Sequence, residues 1–168
     1  MGAGAYYGGS YLVMTYHTSE NFDRRNAHEI GHIFYATDEY NGKTEYGGYL
    51  NVSDVEGSGC LMDDLSWSLS EGTKGQIGWR DSDNDGIQDI VDTFPNTVLN
   101  SYSPDPTTNT TLVYTGSATE VPYLNHNPYS NNPEGRRDVS INKITNVQYR
   151  VDSGDWLNAT PTDAFNKA

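Results

Sequence analysis

The chain has 168 residues, 35% of them hydrophobic, and its 23 acidic and 10 basic groups leave a formal net charge of -13. So negative a surface repels phosphate backbones and anionic lipid, which excludes nucleic acid and membrane surfaces as partners and favours divalent cations; no run approaches the about 20 apolar residues of a spanning helix. The single cysteine, Cys60, excludes a scaffold stapled by internal disulfides.

Met1 to Ser10 is a Gly, Ala and Tyr stretch without the cationic start or apolar segment of a secretory signal, and Met1-Gly2-Ala3-Gly4 reads as an imposed start. Tyr11 to Tyr16, a short apolar run behind Gly-Gly-Ser, predicts a buried strand. Thr18, Ser19 and Asn21 then offer caps, Glu20 and Asp23 fill a first turn, and the unbroken segment to about Ala36 predicts the one long helix. On that helix Ala27, Ile30, Ile33 and Phe34 recur at three- and four-residue spacing and are expected to face a core, leaving His28 and His32 together on an adjoining face.

His28-Glu29-Ile30-Gly31-His32 carries the pattern His-Glu-x-x-His. Helical residues four apart lie about 5–6 Å apart at Cβ, so both imidazoles can converge on one ion with Zn–N bonds of about 2.0–2.1 Å. Glu29 then sits beside the ion, placed to act as general base toward a water whose pKa falls to roughly 7 on zinc. The competing reading makes His28 and His32 ordinary polar helix residues.

Asn41 to Gly59, rich in Gly, Tyr and Asn, reads as loop, and Ser70 to Trp79 predicts a shorter helix capped by Ser70, closing a first module near Trp79. Asp81 to Asp92 matches a calcium loop of the EF-hand type: Asp81, Asp83, Asp85, Asp89 and Asp92 stand at donor positions 1, 3, 5, 9 and 12, Gly86 at the sharp turn, and Ile87 offers its carbonyl. Asp92 replaces the usual bidentate Glu, which points to a looser loop. Its expected role is to rigidify the joint between modules. Weak extracellular sites of this kind fill at millimolar calcium, so the loop favours a secreted location.

From Asp81 to Gly135 there is no Lys or Arg. Pro104 and Pro106 lie in a Ser, Thr and Asn tract expected to be a linker, after which Thr111 to Tyr114 and Val147 to Val151 predict strands of a separate β module. Trp156 is expected to plug the core of that module, which resembles an immunoglobulin-like sandwich but is too short to close one of about 100 residues. His17 and His126 lack spaced partners and are read as surface or core histidines. Tyr40, Tyr46 and Tyr49 are not assigned catalytic roles.

The combination of His-Glu-Ile-Gly-His, Asp38-Glu39-Tyr40, Cys60-Leu61-Met62 and Gln76-Ile77-Gly78-Trp79 resembles secreted metzincin-like zinc metallopeptidases, including the IgA-peptidase-like group, over about residues 11 to 80. The resemblance implies an endopeptidase domain joined to calcium-binding and β-sandwich modules. It implies Asp38 as third zinc ligand, six residues after His32, with Glu39 as the alternative, and Met62 as the floor of a methionine turn. Two departures stand out: Asp38 replaces the usual histidine, and Tyr35 replaces the glycine that lets the chain turn sharply after the helix. Only about 20 residues precede the helix, so the substrate-binding edge strand is expected to shrink to Ala5 to Gly9.

The expected fold class is α+β: a metzincin-like catalytic core, partial at its N-terminus (1–80), a calcium-binding loop (81–95), a linker (96–110) and a truncated immunoglobulin-like β module (111–168). The expected function is zinc-dependent hydrolysis of peptide bonds by an extracellular monomer holding Zn2+ and Ca2+, with a protein or peptide as substrate. The rival is a calcium-stabilised extracellular binding or adhesion module with an inactive or structural zinc site. A second rival hydrolyses another bond, such as an amide in a cell-wall glycopeptide.

Overall fold

The computed structural model describes residues 2–15, 21–128, 137–139 and 141–162. The chain divides into two units, Met1–Asp92 with Tyr123–Val139, and Thr93–Pro122 with Ser140–Ala168. No helix among the described residues is long and apolar enough to cross a membrane.

In the first unit β1 (Gly4–Ala5) pairs antiparallel with β2 (Leu12–Val13), with Gly4 opposite Val13 and Ala5 opposite Leu12. The expected strand from Tyr11 thus shortens to two residues, and the expected edge strand keeps only Ala5, because the chain turns back after it with Gly9 N–H donating to the Tyr6 carbonyl. Tyr16, His17, Thr18, Ser19 and Glu20 lie outside the described residues.

Helix α1 (Phe22–Ile33) carries Asp23 in its first turn, where a carboxylate suits the dipole. Asn21 stands at the N-cap, but its side chain makes no capping bond. The helix ends three residues before Ala36. Ala36 N–H donates to the Gly31 carbonyl and Tyr35 N–H to the His32 carbonyl, both at 3.0 Å, which is the double bond of a Schellman cap. Tyr35 takes the left-handed conformation there (φ 70°), a place glycine normally fills at less cost. Its aromatic surroundings offset the strain: the ring meets Tyr7 and Tyr49 edge-on at centroid distances of 5.6 and 6.3 Å, and the Tyr7 hydroxyl donates to the Tyr35 carbonyl at 2.8 Å.

A hairpin of β3 (Tyr46–Gly47) and β4 (Val52–Ser53) interrupts the segment read as loop. Helix α2 (Leu61–Asp64) is a single turn whose first N–H groups are met by the Cys60 sulfur, accepting from Met62 N–H at 3.2 Å. Helix α3 (Glu71–Ile77) starts at Ser70, as its sequence predicts, with the Ser70 hydroxyl accepting from Thr73 N–H at 2.9 Å, and it stops at Gly78.

The apolar core of this unit is small: Ala36, Cys60 and Met62, with Ile77 packed against them. The expected apolar face of α1 is not its buried face. Ile30 and Phe34 are 40% and 49% exposed, whereas His28 and Glu29 are buried. The helix is seated through Gly31, where a Cβ would come within 2.9 Å of the Met62 sulfur, and through the His28 ring, so the polar face turns inward. Hydrophobic spacing alone cannot register such anchors.

The second unit consists of two ribbons, each a sheet by itself: β5 (Asn96–Leu99) with β6 (Gly116–Thr119), and β7 (Gln148–Tyr149) with β8 (Leu157–Asn158). The linker expected over 96–110 therefore contains a strand, and the strand expected at Thr111 to Tyr114 falls in loop, displaced to Gly116–Thr119. Backbone approach accounts for the shift, since a Cβ at Gly116 would lie 2.5 Å from the Val98 carbonyl oxygen. Trp156 plugs no core: it is 59% exposed, under the Arg150 guanidinium at 5.0 Å, where a cation and an aromatic face attract.

Candidate metal centre

Helix α1 presents His28 and His32 one turn apart, and the Schellman cap at Tyr35 sends the chain back so that Asp38 meets them. His28 Nε2 lies 3.1 Å from His32 Nε2, and Asp38 Oδ1 lies 3.2 Å from the first and 3.3 Å from the second. Three donors on a tetrahedral ion with bonds of about 2.0–2.1 Å stand about 3.3–3.4 Å apart, so the triangle has the dimensions of one face of a zinc polyhedron.

The protonation pattern points the same way. His28 Nδ1 lies 3.0 Å from the Leu61 carbonyl and His32 Nδ1 2.8 Å from the Ala36 carbonyl. A carbonyl only accepts, so each Nδ1 carries the proton, and each neutral ring turns a bare Nε2 lone pair into the triangle. Asp38 Oδ1 is buried there without a hydrogen-bond partner. Three acceptors facing one point call for a cation or a shared proton.

Burial alone would lower the His32 imidazole and raise the Asp38 carboxyl, but their mutual contact reverses both. Bonds to Asp38 and the Ala36 carbonyl raise His32, and contacts with His28, His32 and Tyr40 hold Asp38 well below the usual carboxylate range.

Two clefts flank the triangle. One, of about 330 Å³, is lined by Ala3, Arg25, His28, Glu29, Tyr40, Asp63 and Leu65, and the other, of about 280 Å³, by Tyr7, His32, Thr37, Asp38 and Glu45. Glu29 is 8% exposed and reaches the first cleft beside His28.

Glu39, the alternative ligand, is excluded by its other partners. It is fully buried, its Oε1 accepting from the Ser70 and Thr73 hydroxyls at 2.5 and 2.8 Å and its Oε2 from the Ser58 hydroxyl and the Cys60 thiol at 2.5 and 3.1 Å. Burial would raise this carboxyl, and the four donors lower it instead. Glu39 ties the ligand loop to the start of α3. Met62 is fully buried with its sulfur against Gly31, which stands between His28 and His32 on the helix, and the carbonyl of its neighbour Leu61 holds His28.

Tyr40 was not legible as a site residue. Its ring stacks on His28 at 6.3 Å, and partial desolvation followed by the Asp38 charge raises its pKa. The signal available in the sequence was its place two residues after Asp38. His126 packs its ring edge-on against Tyr123 at 5.9 Å, away from this site.

In the acidic loop, Asp81, Asp83 and Asp85 bring carboxylate oxygens within 4.8 Å of one another. Gly86 adopts φ 92° at the sharp turn, its N–H donating to Asp81 Oδ2 at 2.9 Å, while Ile87 N–H donates to Asp85 Oδ1 at 2.8 Å. Asp89 does not join this group. Ser82 N–H donates to its Oδ1 at 2.8 Å, and the Ser82 hydroxyl and Arg80 Nε donate to its Oδ2 at 2.7 and 3.1 Å. An adjacent arginine and serine outcompete a position that calcium loops often fill through water. Asp92 also stays outside the group, and its carboxyl is raised by slight desolvation and then by the charges of Asp85, Asp83, Asp89 and Asp81.

No protein-family model, no curated protein and no solved structure matches the chain.

Proposed function

We propose that the chain is the core of an extracellular zinc-dependent endopeptidase of the metzincin-like kind, with an α+β catalytic unit and a calcium-binding loop. The observation that carries this reading is the triangle of His28 Nε2, His32 Nε2 and Asp38 Oδ1 at 3.1–3.3 Å, its ring protons held away by the Leu61 and Ala36 carbonyls.

His28, His32 and Asp38 would hold the ion, which supplies Lewis acidity toward water and a substrate carbonyl. Glu29 takes a proton from the attacking water and returns it to the departing amine, since it lines the same cleft as His28. Tyr40, against Asp38 and stacked on His28, keeps two of the three ligands in place. Asp81, Asp83 and Asp85 would take up calcium through oxygen donors, the ligand type that ion prefers.

The test is digestion of casein and of a blocked peptide by the zinc-loaded chain, with and without a zinc chelator. Chelator-sensitive cleavage is the expected result. Its absence in both substrates would favour the binding-module reading, and cleavage confined to amides in cell-wall glycopeptides would redirect the substrate class.

A further inference from the structure

The cleft beside Glu29 holds a cation that nothing in the proposed chemistry uses. Arg25 stands one turn before His28 and Glu29 on α1, so Arg25, His28, Glu29 and His32 share one face of the helix. The neighbouring cations are taken: Arg24 lies over the Trp67 ring at 5.8 Å, Lys74 pairs with Glu71 at 2.6 Å, and Arg80 pairs with Asp89 at 3.1 Å. Arg25 is exposed in the cleft and forms no ion pair among the described residues. Asp63 also lines that cleft, but its Oδ2 accepts from Gly59 N–H at 2.7 Å.

Arg24 and Arg150 lie over tryptophan rings and Arg80 pairs with Asp89, whereas Arg25 has neither kind of partner among the described residues. Its planar fork matches a carboxylate through two parallel N–H···O bonds. Arg25 stands three residues, about 4.5 Å along the helix axis, before His28 and lines the same cleft as that proposed ligand. Ala3 and Leu65 in the lining accept an aliphatic stem, and since Glu29 and Asp63 line the cleft as acids, Arg25 is the one fixed cation in it among the described residues.

We infer that Arg25 is the specificity-determining residue of this cleft and that it selects peptide substrates bearing a carboxylate within a few residues of the scissile bond. The carboxylate is either a Glu or Asp side chain or a free C-terminus. This inference rests on the endopeptidase reading for its chemistry, but the carboxylate contact itself is measurable as binding.

The experiment compares four peptides with the zinc-loaded chain: Glu against Gln beside the scissile bond, and a free against an amidated C-terminus. Carboxylate-bearing peptides are expected to show about tenfold or greater kcat/KM over their amide counterparts, the size of a charge-assisted hydrogen bond. Arg25→Gln should erase that preference, and Arg25→Lys should restore part of it. The arm that responds identifies the source of the carboxylate. Equal cleavage of all four peptides, or a preference that survives Arg25→Gln, would overturn the inference and leave the endopeptidase reading standing. Should nothing be cleaved, binding of the carboxylate peptides to the zinc-loaded chain, weakened by Arg25→Gln, upholds the subsite and rejects the peptidase. Neither cleavage nor Arg25-dependent binding rejects both.

Discussion

The carbonyl oxygen of Leu61 lies 3.0 Å from Nδ1 of His28, so a residue 33 positions further along the chain fixes the proton and the plane of a ring proposed to hold zinc. Met62 follows at once and is fully buried, its sulfur pressed toward Gly31 on the same helix. The one-turn helix α2 thus packs against α1 beside the proposed metal ligands. Met62→Ala should cost about 2–5 kcal/mol of stability and Met62→Leu under about 1.5. Both should weaken zinc binding through His28, Ala more than Leu. Thermal melts and competition with a zinc-binding dye would check the order, and equal zinc affinity in all three proteins would contradict this supporting role.

Glu29 and Asp38 should separate chemistry from binding. Glu29→Gln is expected to keep zinc and lose about 10²- to 10⁴-fold in turnover, the usual contribution of a positioned general base. Asp38→Asn is expected to lose zinc affinity first, because its Oδ1 completes the triangle. Metal content by mass spectrometry beside peptidase assays distinguishes the two. A Glu29→Gln protein that turns over normally would remove Glu29 from the mechanism.

Tyr40→Phe deletes a hydroxyl whose pKa the Asp38 charge helps to raise but keeps the ring on His28. With cobalt in place of zinc, the visible spectrum is expected to shift, and affinity to fall about 10- to 100-fold, as when other partners of metal ligands are removed. An unchanged spectrum would make Tyr40 a bystander.

Glu39 and Asp54 should respond to pH with opposite signs. Bonds to Ser58, Ser70, Cys60 and Thr73 outweigh burial and depress Glu39 below its ordinary 4.5. A depressed carboxyl stabilises the fold above the unfolded value, and that contribution fades as pH falls through the folded one. Asp54 is raised above its ordinary 3.8 by burial and by Glu56 and Glu39, against bonds from Glu45 N–H and Thr37, and its Oδ1 is buried without a partner. Its contribution is therefore full below 3.8 and lost as pH rises through the folded value. Glu39→Ala should cost at least about 2 kcal/mol near neutrality by orphaning buried donors, and less in acid. Asp54→Asn should raise the melting temperature near neutrality, with the gain vanishing in acid. Melts between about pH 3 and 7 test both, and parallel curves would refute the assignment.

Calcium should raise the melting temperature through Asp81, Asp83 and Asp85. For a millimolar site, tenfold excess over Kd corresponds to about 1.4 kcal/mol. Asp83→Asn combined with Asp85→Asn should abolish the rise, and persistence of the rise would locate calcium elsewhere.

What the sequence discloses is local. His28, Glu29 and His32 share one helical turn, the Ser70 cap needs only three residues, and the turn at Gly86 lies inside its own loop, so spacing suffices for each. Tyr35 shows the limit: the cap after α1 is standard, but a non-glycine holds it through Tyr7 and Tyr49, whose approach spacing does not encode. The same holds for Glu39, whose partners come from residues 58, 60, 70 and 73, and for Tyr40. The apolar stripe of Ile30 and Phe34 misled because in α1 the inward face is set by imidazole and sulfur contacts. In the second unit, β5 and β6 are placed by a pairing that runs from Leu99 with Gly116 to Asn96 with Thr119, which runs of Val and Tyr do not foretell.

The chain leaves the first unit after Asp92 and re-enters it from Tyr123 to Val139. There Tyr123 and Val139 exchange two backbone bonds of 2.9 Å, and His126 N–H donates to the Tyr49 carbonyl at 3.0 Å. A gene shortened to stop at Asp92 would encode every proposed zinc and calcium ligand yet omit this returning strap. A protease nick inside the excursion would instead keep this strap present beside the rest of the unit, so clipping is the gentler dissection.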